Sequence, residues 1–106
     1  MNQELNENHK LDANGKPAGG TTTGTGIQIT WQNGPLGRGE DRKPPNGAFV
    51  EGVISAAVGR LNFYQSNGFA CDENQAAIGH LEAALSFLNA RTQARELRGV
   101  EGLQEK

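Results

Sequence analysis

The sequence predicts a mainly α fold: an antiparallel two-helix hairpin behind a small N-terminal β element, assembled as an oligomer. Three observations predict it. From Asp72 to Arg98 one helical face runs through Asn74, Ala77, Leu81, Ala84, Leu88, Arg91, Arg95 and Arg98, in alternating steps of three and four. From Gly47 to Ser66 a second helical pattern carries only Glu51 and Arg60 as charges. Between them lies only Asn67-Gly68-Phe69-Ala70-Cys71, a link so short that the helices must be antiparallel neighbours.

At 106 residues the chain is one small domain with a modest core, so association is an expected source of stability. A net charge of −2 has the wrong sign for general nucleic-acid binding. A single cysteine, Cys71, excludes an internal disulfide framework and a multi-cysteine zinc site. No signal-peptide core and no apolar run of membrane-spanning length is present, so a cytoplasmic protein is the expectation.

Taken in order, residues 1–26 are polar and glycine-rich without apolar periodicity, and are expected to form a flexible arm that folds little by itself or lies over a neighbouring subunit. Ile27 to Gln32 alternates apolar and polar and predicts a strand with Ile27, Ile29 and Trp31 on one face. A lone strand has unpaired edges, so it must pair within the arm or with another chain. Asn33-Gly34-Pro35 ends it, and residues 36–45 form a charged connector. Its Gly37-Arg38-Gly39 lacks the lysine and spacing of a phosphate loop and is expected to be a solvated loop.

The hairpin segment is expected over 46–102. Asn46 is the predicted N-cap of the first helix, after Pro45. That helix shows two stripes, one through Val50, Ile54, Ala57, Leu61 and Tyr64, the other through Phe49, Val53, Ala56, Arg60 and Phe63. Gly52, Ala56 and Gly59 add a small-residue stripe, and Gly79, Ala83, Ser86 and Ala90 repeat the device on the second helix. So little charge on a long helix implies cover on more than one side. Gly68 or Asn67 takes the left-handed closing position. Asp72 is the predicted N-cap of the second helix, with Gln75 completing a capping-box pattern, and Gly99 stops it. Residues 103–106 form a tail.

Catalytic signatures are missing: no nucleophile elbow, no paired histidines of a zinc protease and no phosphate loop with lysine occur. Cys71 would need a base, and His80 lies ~13 Å further along the helix at ~1.5 Å per residue. His80 is expected at a surface or interface, and no residues show metal-ligand spacing. The expectation is a non-enzymatic protein without cofactor. Binding remains. Asn74 and Arg91 share a face but lie ~25 Å apart along it. One small ligand cannot span that length. Either the amide and the guanidiniums serve different ends, or an antiparallel second copy brings Asn74 of one chain against Arg91 and Arg95 of the other. With Tyr64 near the turn, such a pocket would offer a stacking ring, an amide and paired cations, a nucleotide-type site. The competing view is that Arg91, Arg95 and Arg98 pair with Glu96 and Glu101 as a solvated helix end that suits the dipole.

The run from Ile27 through WQNGP, PNGAFVE, FACDEN and RxxxRxxRGVEG to Gly102 resembles the phage-encoded Thoeris anti-defence sponge family, relatives of the anti-CBASS sponges. The resemblance implies a protein that binds and holds immune signalling nucleotides, chiefly cyclic ADP-ribose isomers such as glycocyclic ADP-ribose, and so blocks effector activation in the infected host. Some members also hold cyclic di- or trinucleotides at separate sites. It implies a helical hairpin with a small β part, assembled as dimers and often hexamers, with pockets between subunits. Carried over by motif, Asn74, Arg91 and Arg95 match ligand-contacting positions, with Arg98 in the same run. Tyr64 falls where the family stacks an aromatic on the base, with Phe63 beside it. An adaptor hairpin whose oligomer is its whole purpose is the alternative.

Overall fold

The computed structural model describes residues 4–103. They form two units. One runs to Phe49 and includes the segment from Arg98 onward, and the other is Val50–Leu97.

The first unit is a three-stranded antiparallel sheet in the order β1-β2-β3: β1 (Asn6–Leu11), β2 (Pro17–Gly24) and β3 (Ile27–Trp31). The strand over Ile27–Trp31 is present, with Ile27, Ile29 and Trp31 half-buried and Gln28 and Thr30 exposed. It pairs within the chain, along β2 from Gly24↔Ile27 to Gly20↔Trp31. The expectation of a flexible arm is therefore corrected from Asn6 onward. Its first three residues, and the tail beyond Leu103, lie outside the described residues. Local turn chemistry organises this polar stretch. The Asp12 carboxylate accepts from the backbone N–H of Asn14 (2.8 Å) and Lys16 (3.0 Å), closing the β1–β2 turn. Thr22, 3% exposed, accepts the indole N–H of Trp31 at 2.8 Å across β2 and β3.

Beyond β3 the chain is tied back to it. Ala48 N–H donates to Thr30 O (2.7 Å), and Gln32 N–H donates to Ala48 O (3.0 Å). The Asn46 side chain accepts from Asn33 N–H (2.8 Å) and donates to Asn33 O (2.9 Å). The Gln32 side chain accepts from Asn46 N–H (2.9 Å) and donates to Gly34 O (3.2 Å). WQNGP and PNGA are thus two halves of one hydrogen-bonded clasp. This overturns Asn46 as a helix cap, because its side chain is spent on Asn33. The first helix starts at Val50 rather than Gly47 for the same reason: a backbone bonded sideways to a strand cannot also be helical. Gly47 has no alternative, since a Cβ there would lie 2.5 Å from the Trp31 carbonyl.

A second clasp of this unit joins the connector to the C-terminal segment. Arg42 makes a two-pronged pair with Glu101 (2.7 and 3.1 Å), and Arg38 donates to Glu101 O at 2.8 Å. Gly37 N–H donates to Gly102 O at 2.6 Å. GRG is a structural loop, and the GVEG end of the arginine-rich motif is its partner.

The second unit is the hairpin of α1 (Val50–Ser66) and α2 (Asp72–Leu97), packed on each other. The seam uses Ile54, Val58, Leu61 and Gln65 of α1, all half-buried. From α2 it takes Ile78, 3% exposed, with Leu81, Leu85, Leu88 and Thr92 half-buried. Val50 and Ala57, expected in this stripe, are exposed, because the covered face is rotated toward Val58 and Gln65. Gly52, Ala56 and Gly59 of α1, and Gly79, Ala83, Ser86 and Ala90 of α2, all face out. Among the described residues Ile78 is the one fully covered apolar side chain, while Phe87 is 78% and Leu97 90% exposed. Arg98 lies past the end of α2, in a turn of the other unit.

Candidate functional site

The hairpin turn builds a recess from three local devices. Gly68 takes φ +89°, and Phe69 N–H returns to Tyr64 O at 3.1 Å, the closure that ends a helix on a left-handed glycine. Such closures bring together the residues three before and two after the helix end. Here these are Tyr64 and Phe69, whose rings meet edge to face with centroids 6.2 Å apart. The second device is the start of α2. Cys71, not Asp72, is its cap: its Sγ accepts from Asn74 N–H (3.4 Å) and its carbonyl from Gln75 N–H (3.2 Å). The expected Asp72–Gln75 box is replaced by Gln65, reaching across from α1. Its Oε1 accepts from Cys71 N–H (3.0 Å), and its Nε2 donates to Cys71 O (3.2 Å) and to Gln75 Oε1 (3.4 Å). Third, Asn74 Nδ2 donates to Phe69 O at 3.1 Å, fixing the amide against the turn.

Tyr64, Phe69 and Asn74 line a cavity of ≈460 Å³. That is the volume range of small-molecule sites, ~300–1,000 Å³. It is open to solvent. Asn74 Oδ1 accepts from no protein group among the described residues, leaving an acceptor for a ligand. Phe63 packs on Tyr64 with centroids 6.2 Å apart. The guanidinium of Arg60 lies 4.9 Å from both the Phe63 and the Tyr64 ring centroids. An exposed contact of this kind contributes roughly 0.5–1 kcal/mol.

Of the sequence-derived site residues, the structure brings Tyr64 and Asn74 together and sets Phe63 alongside. It does not bring Arg91 or Arg95 to them. Arg91 is exposed, ~25 Å along α2 from Asn74, and Arg95 is half-buried, ~32 Å along it. Arg98 belongs to the other unit. Phe69 and Arg60 are the members the sequence did not single out. Both had a signal: Phe69 follows the closing glycine, and Arg60 is one turn before Phe63 and Tyr64. Cys71 and His80 are both exposed, the first capping α2 and the second more than two turns along it. Among the described residues no cluster of three or more His, Cys, Asp or Glu side chains could hold a metal, and no helix is long and apolar enough to cross a membrane.

Residues 24–93 match the Acb2/Tad1 hairpin domain, well over half of the chain. The chain belongs to that family. The matched span takes in β3, α1, the whole recess and α2 as far as Gln93. A relative, "Thoeris anti-defense 1" of Bacillus phage SBSphiJ7, is 49% identical over 78 residues, 74% of this chain. The chain spans about half, 52%, of that relative's length.

Proposed function

We propose that this member of the family is a non-enzymatic phage anti-defence protein that binds and holds a cyclic nucleotide immune signal. The ligand class is cyclic ADP-ribose isomers, with cyclic di- or trinucleotides as further candidates. Holding the signal keeps it from the effector of a Thoeris or CBASS defence. One observation carries the proposal: an aromatic pair and an amide line a cavity of nucleotide size at the hairpin turn. Tyr64 and Phe69 offer a stacking surface, and Asn74 offers an acceptor for base or ribose hydroxyls. The similarity to an anti-defence relative supports the biological setting.

The energetics favour a site shared between copies. Nanomolar retention needs ~12 kcal/mol. A stacked base supplies ~1–3 and each charge-assisted arginine contact ~1.5–3. An open recess on one chain falls short. A two-fold assembly, dimer or hexamer, would set Arg91 and Arg95 of one chain over Asn74 of the other and exclude water. The outward small-residue stripes of α1 and α2 and the exposed Phe87 support such contact.

The experiment is a thermal-shift panel of cyclic ADP-ribose isomers and cyclic oligonucleotides, followed by heat release and mass analysis of the ligand. A raised midpoint with one compound, and recovery of that compound intact, is expected. A flat panel overturns the proposal, and a processed product would make the protein an enzyme.

A further inference from the structure

Resting on the recess as a nucleotide site, we infer that Arg60 is the phosphate-binding residue supplied by the same chain. Among the described residues the lining is Tyr64, Phe69 and Asn74, none of them a cation. Arg91 and Arg95 are too far along α2 to serve it within one chain. Arg60 is near by construction, one helical turn before Tyr64 on the same face of α1.

Its surroundings favour a ligand over a structural role. The guanidinium sits in the angle between the Phe63 and Tyr64 rings, 4.9 Å from each centroid, and these rings are inclined at 61°. Ring contact uses the face of the guanidinium, and its N–H donors lie in its plane. No hydrogen bond and no carboxylate within salt-bridge range is found for Arg60 among the described residues. Arg38 and Arg42 are different, since both are engaged by Glu101. The other charge on α1, Glu51, is ~13 Å away along the helix, so α1 offers no counter-ion. A guanidinium held by ring contact, with no carboxylate partner among the described residues, suits a phosphate oxygen pair. A nucleotide whose base lies against Tyr64 carries its phosphate one sugar away from that ring, on the scale of the Arg60 fork. Tyr64 thus does two jobs: it stacks the base and, with Phe63, steadies the cation that takes the phosphate.

The test compares wild type, Arg60→Ala and Arg60→Gln by calorimetric titration with cyclic ADP-ribose, the phosphate-bearing probe, and adenosine, the phosphate-free one. Thermal midpoint and oligomeric mass confirm that each variant folds. Both variants should bind cyclic ADP-ribose ~10–100-fold more weakly, the range of a lost charge-assisted hydrogen bond. Adenosine should be little affected. The salt dependence of cyclic ADP-ribose affinity should flatten in both variants, because the lost contact is ionic. Unchanged binding by well-folded variants overturns the inference while leaving the recess intact. An equal loss for both probes with an unaltered salt dependence also overturns it, by reducing Arg60 to a prop for Tyr64. Wild type that binds neither probe defeats the recess itself, and is told apart because it fails before any substitution is made.

Discussion

Asn46 and Tyr64 show how one residue type can be legible and its job not. An asparagine after a proline and before a helical pattern has the composition of an N-cap, yet both ends of the Asn46 amide are bonded to Asn33. Asn46→Ala should therefore weaken the clasp rather than the helix. The expected loss is ~1–2 kcal/mol, seen as a lower melting midpoint with helical content retained below it. A fall in helical signal without a shift in midpoint would restore the capping role. Tyr64 is different, because it lines the recess with its ring edge to face against Phe69. On the proposed function, Tyr64→Phe should bind cyclic ADP-ribose within a few-fold of wild type. Tyr64→Ala should lose ~10-fold or more, the worth of a stacked base. Equal affinities for the two in a titration would remove stacking from the mechanism.

The elements differ in how their boundaries are set. α2 begins where Cys71 caps it and Gln65 braces the cap from α1, so the turn is held by a side chain seven positions before the helix it starts. Gln65→Ala should cost about 1 kcal/mol and raise amide exchange at Cys71 without changing either helix length. Protection at Cys71 equal to wild type would mean that the glycine closure alone holds the turn. Two of the sheet's three strands were illegible for a physical reason. β1 is polar but for Leu11 at its end, and β2 is mostly threonine and glycine with one buried position. Apolar alternation is the signal that reveals strands, and neither strand has it. What was visible was the turn chemistry of Asp12, Asn14 and Gly15, which marks a hairpin even between polar strands.

At the scale of the whole molecule, the hairpin alone covers little apolar surface. Ile78 is its one fully covered apolar residue among those described, while Phe63, Phe69, Phe87 and Leu97 stand half or more exposed. In the proposed assembly, contact between copies would cover these side chains and add stability. The arginines of α2 belong to that argument. Arg91→Ala with Arg95→Ala should abolish retention of cyclic ADP-ribose while native mass spectrometry shows the same assembly as wild type. Retention by the double variant would mean that the recess closes with other groups, and dissociation would make these side chains assembly contacts instead.

What the sequence by itself determined was the hairpin and the stretch from Tyr64 to Asn74. Both are consequences of local spacing: a 3.6-residue period, a closing glycine, a short link. The motif order likewise sufficed to suggest the family to which the chain belongs. The tertiary structure alone decided that WQNGP and PNGA clasp each other, that Glu101 holds Arg38 and Arg42, and that Arg60 lies against the rings of Phe63 and Tyr64. Two of these three join segments far apart in the chain, and in all three a polar side chain's partner is set by where it comes to lie. Periodicity reports which way a residue faces along its own element, but a hydrogen bond or a ring contact needs to know what has arrived on the other side.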